Sequence, residues 1–290
     1  MQIYVDGEFY SKEDAKVSVF DHGLLYGDGI FEGIRTYNGR VFELDAHIDR
    51  LYASAHVIAL DIPLSRDDLV EATMETIRRN DAMDGYVRLV VTRGTGDLGF
   101  NPAKCPKATV ICIAGGITLY PDEAYEKGFK VVTLSTRRND PQAINPAVKS
   151  LNYLNNVMGA LELRGRDVNE GLFLTTSGYL CECTADNVFL VKGHKLMTPH
   201  PSLGALKGVT RGVVMRLTAF MGLEVEEGFY TLYDVYTADE VFLTGTAAEV
   251  GPVVEVDKRV IGAGVPGPVT KELTIRFHEY AQNSGTPVNG

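Results

Sequence analysis

The run Gly115-Gly116-Ile117-Thr118-Leu119-Tyr120-Pro121-Asp122 constrains this chain more than any other stretch, because it interrupts two blocks of regular patterning. Before it, Tyr86-Val87-Arg88-Leu89-Val90-Val91-Thr92-Arg93 alternates with period two, and Ala108 to Ala114 reads as another strand. After it, the pattern restarts with a strand at Phe129 to Ser135. At 290 residues the chain is long for a single core. The break therefore predicts two domains with their boundary inside it. Helical and strand patterns occur in both, so the expected class is α/β (α+β).

Charge and cysteine usage narrow the function classes. The balance of 28 basic against 38 acidic residues gives a formal net charge of −10, which opposes nonspecific binding to nucleic acid or to an anionic membrane. Any phosphate must therefore be met by local groups. No apolar run approaches the ~20 residues that span a bilayer, and Met1-Gln2-Ile3-Tyr4-Val5-Asp6 lacks the pattern of a secretion signal. A cytoplasmic protein with no nucleic-acid or membrane partner is the simplest reading. Cys105, Cys112, Cys181 and Cys183 are too few for a disulfide framework and form no C-x-x-C. Strand alternation puts Cys181 and Cys183 opposite Glu182, and the histidines show no ligand spacing, so no metal is expected.

Along the chain, Ile3-Tyr4-Val5-Asp6-Gly7-Glu8-Phe9 carries the Asp-Gly signal of a hairpin. Glycines at 23, 27, 29 and 33, interleaved with aromatics, let backbone approach something closely. A helix is expected from Asp45, capped by that aspartate, with Ile48, Leu51, Ala55 and Ile58 inward and Arg50 bordering the stripe. A second helix follows Ser65, which can cap it while Asp68 reaches back, with Leu69, Thr73 and Ile77 inward. Tyr86 and Arg88 share a strand face, an arrangement suited to a carboxylate or to an edge-strand charge. Strands follow at Glu170 to Thr176 and Tyr179 to Val191. Glu182 on the second of these needs a cationic or protonated partner. Leu206-Lys207-Gly208-Val209-Thr210-Arg211 leads into a helix with Val213, Val214, Leu217, Phe220 and Met221 inward, closed by Gly222. Its glycine, open amides and threonine make a phosphate seat or a simple helix cap. The turn after Glu240 to Gly245, with Thr246 and Ala247, is an anion nest or an ordinary polar turn.

The remaining piece is Asn145 to Asn156. Lys149 sits just before a helical pattern of Leu151, Leu154, Met158 and Leu161 ending at Gly165, with Tyr153 one turn on. Desolvation among apolar and amide side chains lowers a lysine's pKa and frees its amine to attack an aldehyde. A solvated lysine capping a surface turn is the plainer alternative.

One ligand would use all these parts, pyridoxal 5′-phosphate, which needs a lysine for its aldehyde, a cradle for its phosphate and a carboxylate for its ring nitrogen. Tyr26-Gly27-x-x-Ile30-Phe31-Glu32-Gly33-Ile34-Arg35, His47-x-x-Arg50-Leu51, Lys149-x-x-x-Tyr153-Leu154, Glu182-x-x-x-x-Asn187-Val188-Phe189, Gly208-Val209-Thr210-Arg211 and Gly245-Thr246-Ala247-Ala248-Glu249 occur in this order. With these motifs the chain resembles the class IV aminotransferases, most of all those acting on branched-chain amino acids, over nearly its whole length. The resemblance implies the two-domain fold type IV of pyridoxal-phosphate enzymes, like that of D-amino acid aminotransferase. That fold has a small α/β domain, here residues 1–116, an interdomain loop at 117–125, a larger pseudo-barrel domain that binds the cofactor, residues 126–290, the cofactor between them, and a homodimer or higher assembly. It implies that Lys149 is the catalytic residue, bonded to the cofactor, with Tyr153 on the phenolic oxygen and Glu182 on the ring nitrogen. Arg50, Val209, Thr210 and Thr246 hold the phosphate, and Leu206 joins the cofactor-binding set. Tyr26, Phe31, Gly33, Arg35, Tyr86, Arg88, Phe100, Thr246 and Ala247 form the substrate pocket, with Tyr120 as a further wall. Tyr26 and the loop 94–101 reach in from the neighbouring subunit. The implied reaction passes the amino group of leucine, isoleucine or valine to 2-oxoglutarate.

Two rivals share these motifs. A D-amino acid aminotransferase is echoed in His47 to Ala55 and Val91 to Thr95, although the loop after Arg93 lacks that family's Arg-x-His pair. A pyridoxal-phosphate lyase of the aminodeoxychorismate type would use the same lysine and glutamate without needing an oxo-acid acceptor.

Overall fold

Asp6-Gly7 makes the expected hairpin, with Val5 opposite Glu8 and positive φ at both turn residues. It begins a computed structural model that describes residues 1–117 and 120–289. Two compact units are present, residues 1–117 with 148–152 and 281–289, and residues 120–147 with 153–280. Residues 148–152 and the C-terminus thus group with the first part of the chain. Of the expected 117–125 loop, Thr118 and Leu119 lie outside the described residues, and Asp122–Lys127 is helical instead. Acidic residues in its first turn and Lys127 in its last suit the helix dipole.

The first unit comprises β1 (Gln2–Val5), β2 (Glu8–Ser11), α1 (His22–Tyr26), β3 (Gly29–Tyr37), β4 (Arg40–Val41), α2 (Leu44–Val57), α3 (Arg66–Arg79), β5 (Tyr86–Thr92) and β6 (Thr109–Gly115). The second runs through α4 (Asp122–Lys127), β7 (Phe129–Thr133), α5 (Leu154–Glu162), β8 (Glu170–Leu174), β9 (Leu180–Cys183), β10 (Asn187–Lys192) and β11 (Lys195–Pro199). It continues with α6 (Val209–Ala219), β12 (Glu224–Gly228), α7 (Leu232–Tyr236), β13 (Glu240–Gly245), β14 (Glu249–Val256), β15 (Arg259–Val260) and α8 (Pro268–Asn283). Strand β16 (Thr286–Pro287) returns to the first sheet.

Among the described residues the first sheet runs β16-β4-β3-β5-β6-β1-β2 and is antiparallel throughout. Alternation along β3 sends Ile30, Glu32 and Ile34 to one face and Phe31, Gly33 and Arg35 to the other. The isoleucines share one core cluster with Ile48 and Leu51 of α2 and with Leu69 and Ile77 of α3. Ser65 caps α3 by accepting from the Asp68 amide, and Leu69, Thr73 and Ile77 are buried, as expected. Asp45 is not the cap of α2. The helix starts at Leu44, Glu43 occupies the cap in a left-handed conformation, and Asp45 falls in the first turn.

The second sheet is mixed and runs β12-β11-β10-β13-β14-β7-β8-β9. Parallel pairs join β7 to β8 and to β14, and β11 to β12. The expected strand from Tyr179 to Val191 is two strands, because Thr184-Ala185-Asp186 turns the chain and the Cys183 amide bonds Asp186 O at 2.7 Å. That turn carries β9, last in the ladder, straight back to β10. Helix α5 ends at Glu162, short of Gly165. It buries Asn156 and Gly159, while Leu154, Val157, Met158 and Leu161 form an exposed stripe. Helix α6 buries Thr210, Arg211, Val213, Val214 and Thr218 and stops before Phe220, which is 80% exposed.

Candidate active site

In the first unit, Lys149 stands beside a strand and not at a helix entrance. Its carbonyl accepts from the Phe31 amide at 2.9 Å, and the Leu151 amide donates to Gly29 O at 2.9 Å. The Lys149 amide donates to Ser54 Oγ of α2 at 3.3 Å. Backbone committed in this way cannot begin a helix. Tyr153 becomes the N-cap residue of α5, and one helical turn does not separate it from Lys149. Lys149 Nζ lies over the Phe31 ring, 4.5 Å from its centre, close to the face that carries the expected substrate residues.

That face is set by strand register. Phe31 pairs with Val90, Gly33 with Arg88 and Arg35 with Tyr86, so all project from the same side of β3 and β5. Arg88 Nη2 donates to Tyr86 Oη at 3.0 Å, and its guanidinium lies 4.7 Å from the Phe31 ring centre. A Cβ on Gly33 would sit 2.0 Å from Tyr86 Oη, so the glycine makes room for that hydroxyl. Tyr26 Oη donates to Leu98 O at 2.6 Å, and its ring meets Phe100 edge-on at 4.9 Å. Phe100 itself is 83% exposed.

On the other face of β3, Arg50 grips Glu32 with two bonds, Nε to Oε1 at 2.8 Å and Nη2 to Oε2 at 2.7 Å. His47 Nδ1 lies 2.7 Å from Oε2. Burial pushes the Glu32 carboxyl up, but the hydrogen bonds and charges of Arg50 and then His47 outweigh it and hold the pKa at about 2. Burial lowers the pKa of His47; Glu32 opposes this, and the charges of Arg50 and Lys149 reinforce it.

In the second unit, Glu182 is buried on β9. Arg138 Nη2 meets its Oε1 at 2.6 Å, and the Leu206 amide donates to Oε2 at 2.8 Å. Arg138 is itself aimed, with Nη1 on Asn155 Oδ1 and Asn156 Oδ1, both at 3.0 Å, and Nε on Gly204 O at 3.2 Å. Asn187 Nδ2 holds Leu206 O at 2.9 Å. A Cβ on Gly208 would come 2.1 Å from Asn187 Oδ1, so only glycine passes here on the way to α6. No side chain caps α6, whose first residues are Val209 and Thr210. Its open amides start a few residues of chain beyond the Glu182 contact. The second unit therefore joins a buried carboxylate to an anion-accepting helix end. Thr246 and Ala247 lie in the half-buried turn between β13 and β14.

A profile of the family described as "Amino-transferase class IV" matches residues 29–256. The chain belongs to the class IV aminotransferases. A Methanocaldococcus jannaschii protein that carries the provisional name branched-chain-amino-acid aminotransferase is 49% identical over 99% of each chain. The Pseudomonas aeruginosa branched-chain-amino-acid aminotransferase is 37% identical, covering 93% of this chain and 90% of its own. Among solved structures, the Escherichia coli branched-chain amino acid aminotransferase superposes with a TM-score of 0.94 at 36% identity, over 98% of this chain and 95% of that one. A branched-chain amino acid aminotransferase from T.th., solved with pyridoxamine 5′-phosphate, gives 0.93 at 36% identity, over 97% of this chain and 94% of that one.

For this class IV aminotransferase, residue types and spacing located the glutamate and the helix end but not what aims them. The need of Glu182 for a cation was readable, while its partner Arg138 carried no signal in a loop 44 positions earlier. Glu32, His47 and Asn187 stood within recognised motifs with no role assigned to them.

Proposed function

We propose that this aminotransferase moves the amino group of L-leucine, L-isoleucine or L-valine to 2-oxoglutarate, giving branched 2-oxo acids and L-glutamate, with pyridoxal 5′-phosphate as cofactor. The observation that carries the reading is the buried Glu182 carboxylate, fixed by Arg138 and the Leu206 amide. From Leu206, whose amide makes that contact, the chain reaches Val209 at the uncapped start of α6 three residues later. A pyridine nitrogen that carries a proton and a phosphate on a short arm fit that donor set.

When bound, pyridoxal 5′-phosphate supplies an aldehyde carbon that takes up the amino group and a ring that spreads charge. The chain's own residues do the rest. Lys149 Nζ would hold the cofactor at rest and, once released, would take the proton from the substrate Cα and deliver it to the former aldehyde carbon, two bonds away across the nitrogen. Glu182 keeps the ring nitrogen protonated, Tyr153 orients the phenolic oxygen, and Leu206 supports the ring. Arg50, Val209, Thr210 and Thr246 take the phosphate. Phe31, Tyr86 and Tyr120 wall an apolar side chain, with Gly33 and Arg35 on the same strand as Phe31. The turn at Thr246-Ala247 takes the α-carboxylate, and Arg88 with Tyr26 takes the distal carboxylate of glutamate.

The protein works as a homodimer in the cytoplasm in this reading. The exposed stripe of Leu154, Val157, Met158 and Leu161, together with Leu98 and Phe100, supports a second copy as partner. Four unpaired cysteines suit a reducing compartment.

A donor panel of L- and D-amino acids against 2-oxoglutarate tests the activity. Turnover with L-leucine, L-isoleucine and L-valine is expected. Preference for D-amino acids, or sustained turnover without an oxo acid, would overturn it in favour of the D-specific or lyase reading. Borohydride reduction followed by peptide mapping is expected to label Lys149.

A further inference from the structure

We propose that His47 is a positioning residue for the phosphate end of the site: its Nδ1–H, donated to Glu32, fixes the carboxylate plane against which the Arg50 guanidinium is aligned. The proposal rests on the reading above, in which Arg50 meets the phosphate.

His47 and Arg50 are three positions apart on α2, so both face β3, and Glu32 rises from β3 to meet them. The hydrogen bonds are unequal in what they constrain. Arg50 bonds both carboxylate oxygens, Nε to Oε1 at 2.8 Å and Nη2 to Oε2 at 2.7 Å, so the guanidinium and the carboxylate share a plane. That shared plane is not fixed by the pair alone, because the last torsion of a glutamate is broad and two-fold. Without a third contact the two groups can turn together, and the edge of Arg50 turned away from Glu32 sweeps with them. His47 supplies the third contact. Its ring is fully buried on a helix packed against the same strand, and Nδ1 meets Oε2 at 2.7 Å.

Glu32 is ionised, so it can only accept, and the proton of this bond belongs to His47 Nδ1. His47 Nε2 is then a bare acceptor, buried with no hydrogen-bond partner among the described residues. A buried ring nitrogen left unmatched is costly. An apolar residue of similar size would fill the space without that cost, and what it would lose is the Nδ1 bond to Glu32.

Two isosteric probes separate the ring nitrogens. The amide nitrogen of His47→Asn falls where Nδ1 lies, and that of His47→Gln falls nearer Nε2. Binding of pyridoxamine 5′-phosphate and of pyridoxamine to the full chain freed of cofactor, by calorimetry, isolates the phosphate contribution. A charge-assisted hydrogen bond is worth enough that its loss should weaken the phosphorylated ligand by roughly ten-fold or more. That loss is expected in His47→Gln and His47→Leu, with pyridoxamine affinity unchanged and with His47→Asn close to wild type. Thermal melting without ligand checks that each variant is folded. Equal weakening of both ligands, or wild-type preference for the phosphate in His47→Gln and His47→Leu, would overturn the positioning role. A wild-type protein that binds the two ligands alike would overturn the phosphate seat itself, and the role of His47 with it.

Discussion

Arg138 Nη2 and Glu182 Oε1 lie 2.6 Å apart, and both side chains are buried. The pair converts a carboxylate that would be costly alone into a fixed, ionised acceptor. Arg138→Met leaves Glu182 buried without its cation. It is expected to lower the unfolding free energy by about 3–5 kcal/mol, the usual cost of breaking a buried pair from one side. Glu182→Gln in the same chain should return part of that loss, since the uncompensated charge is gone. Urea unfolding of the four cofactor-free proteins measures the cycle, and additivity would contradict it.

Glu182→Ala removes the carboxylate proposed above to accept from the ring nitrogen and leaves the start of α6 intact. Proton abstraction from the amino donor is expected to slow by a far larger factor than the affinity for pyridoxamine 5′-phosphate falls. Single-turnover rates with α-deuterated and ordinary leucine, beside calorimetric binding, compare the two. A variant with unimpaired turnover refutes the assignment.

Gly33→Ala places a methyl group 2.0 Å from the Tyr86 hydroxyl and drives it off Arg88. KM for the amino donor is expected to rise several-fold, and stability to fall by about 1–3 kcal/mol, as overpacking does. Adding Tyr86→Phe removes the atom in closest conflict and should recover part of the stability. Steady-state kinetics and melting of the single and double variants give the answer.

Acid should weaken the first unit through two groups in turn. The pKa of His47 is lowered, chiefly by burial, so its contribution is whole above the ordinary value of 6.5 and wanes as pH falls through it. The Glu32 pKa is held at about 2 against an ordinary 4.5, so its contribution is complete above 4.5 and is lost between there and about 2. Its full value is about 3 kcal/mol, at roughly 1.4 kcal/mol for each pH unit of difference. The stability gap between wild type and Glu32→Gln should therefore narrow as pH drops below 4.5. Unfolding of the cofactor-free proteins across that range measures it, and a constant gap would refute the pairing.

The stripe on α5 gives a test of assembly. Val157→Glu puts a charge among Leu154, Met158 and Leu161 and is expected to shift the sedimentation coefficient towards the monomer with the melting temperature little changed. An unchanged coefficient would move the contact elsewhere.

What the residues determined by themselves was local and additive. Asp6-Gly7 dictates a tight turn, Ser65 with Asp68 a capped helix, and period-two runs such as Tyr86 to Thr92 a strand whose Tyr86 and Arg88 share a face. Motif order was sufficient to place the chain in its family. Apolar spacing on α5 read correctly as a helix but left its face open, because periodicity reports that a stripe exists and not what covers it. Lys149 was misplaced for a related reason. Propensity favours extending the helix of Leu154 backwards, whereas hydrogen bonds to Gly29 and Phe31, over a hundred positions away, hold its backbone along β3. Arg138 beside Glu182, and His47 with Arg50 on Glu32, are pairings across loops and sheets. Only the folded chain decides these, since the free energy that selects them comes from burying charge beside its complement, a quantity without any value until the chain has closed around both.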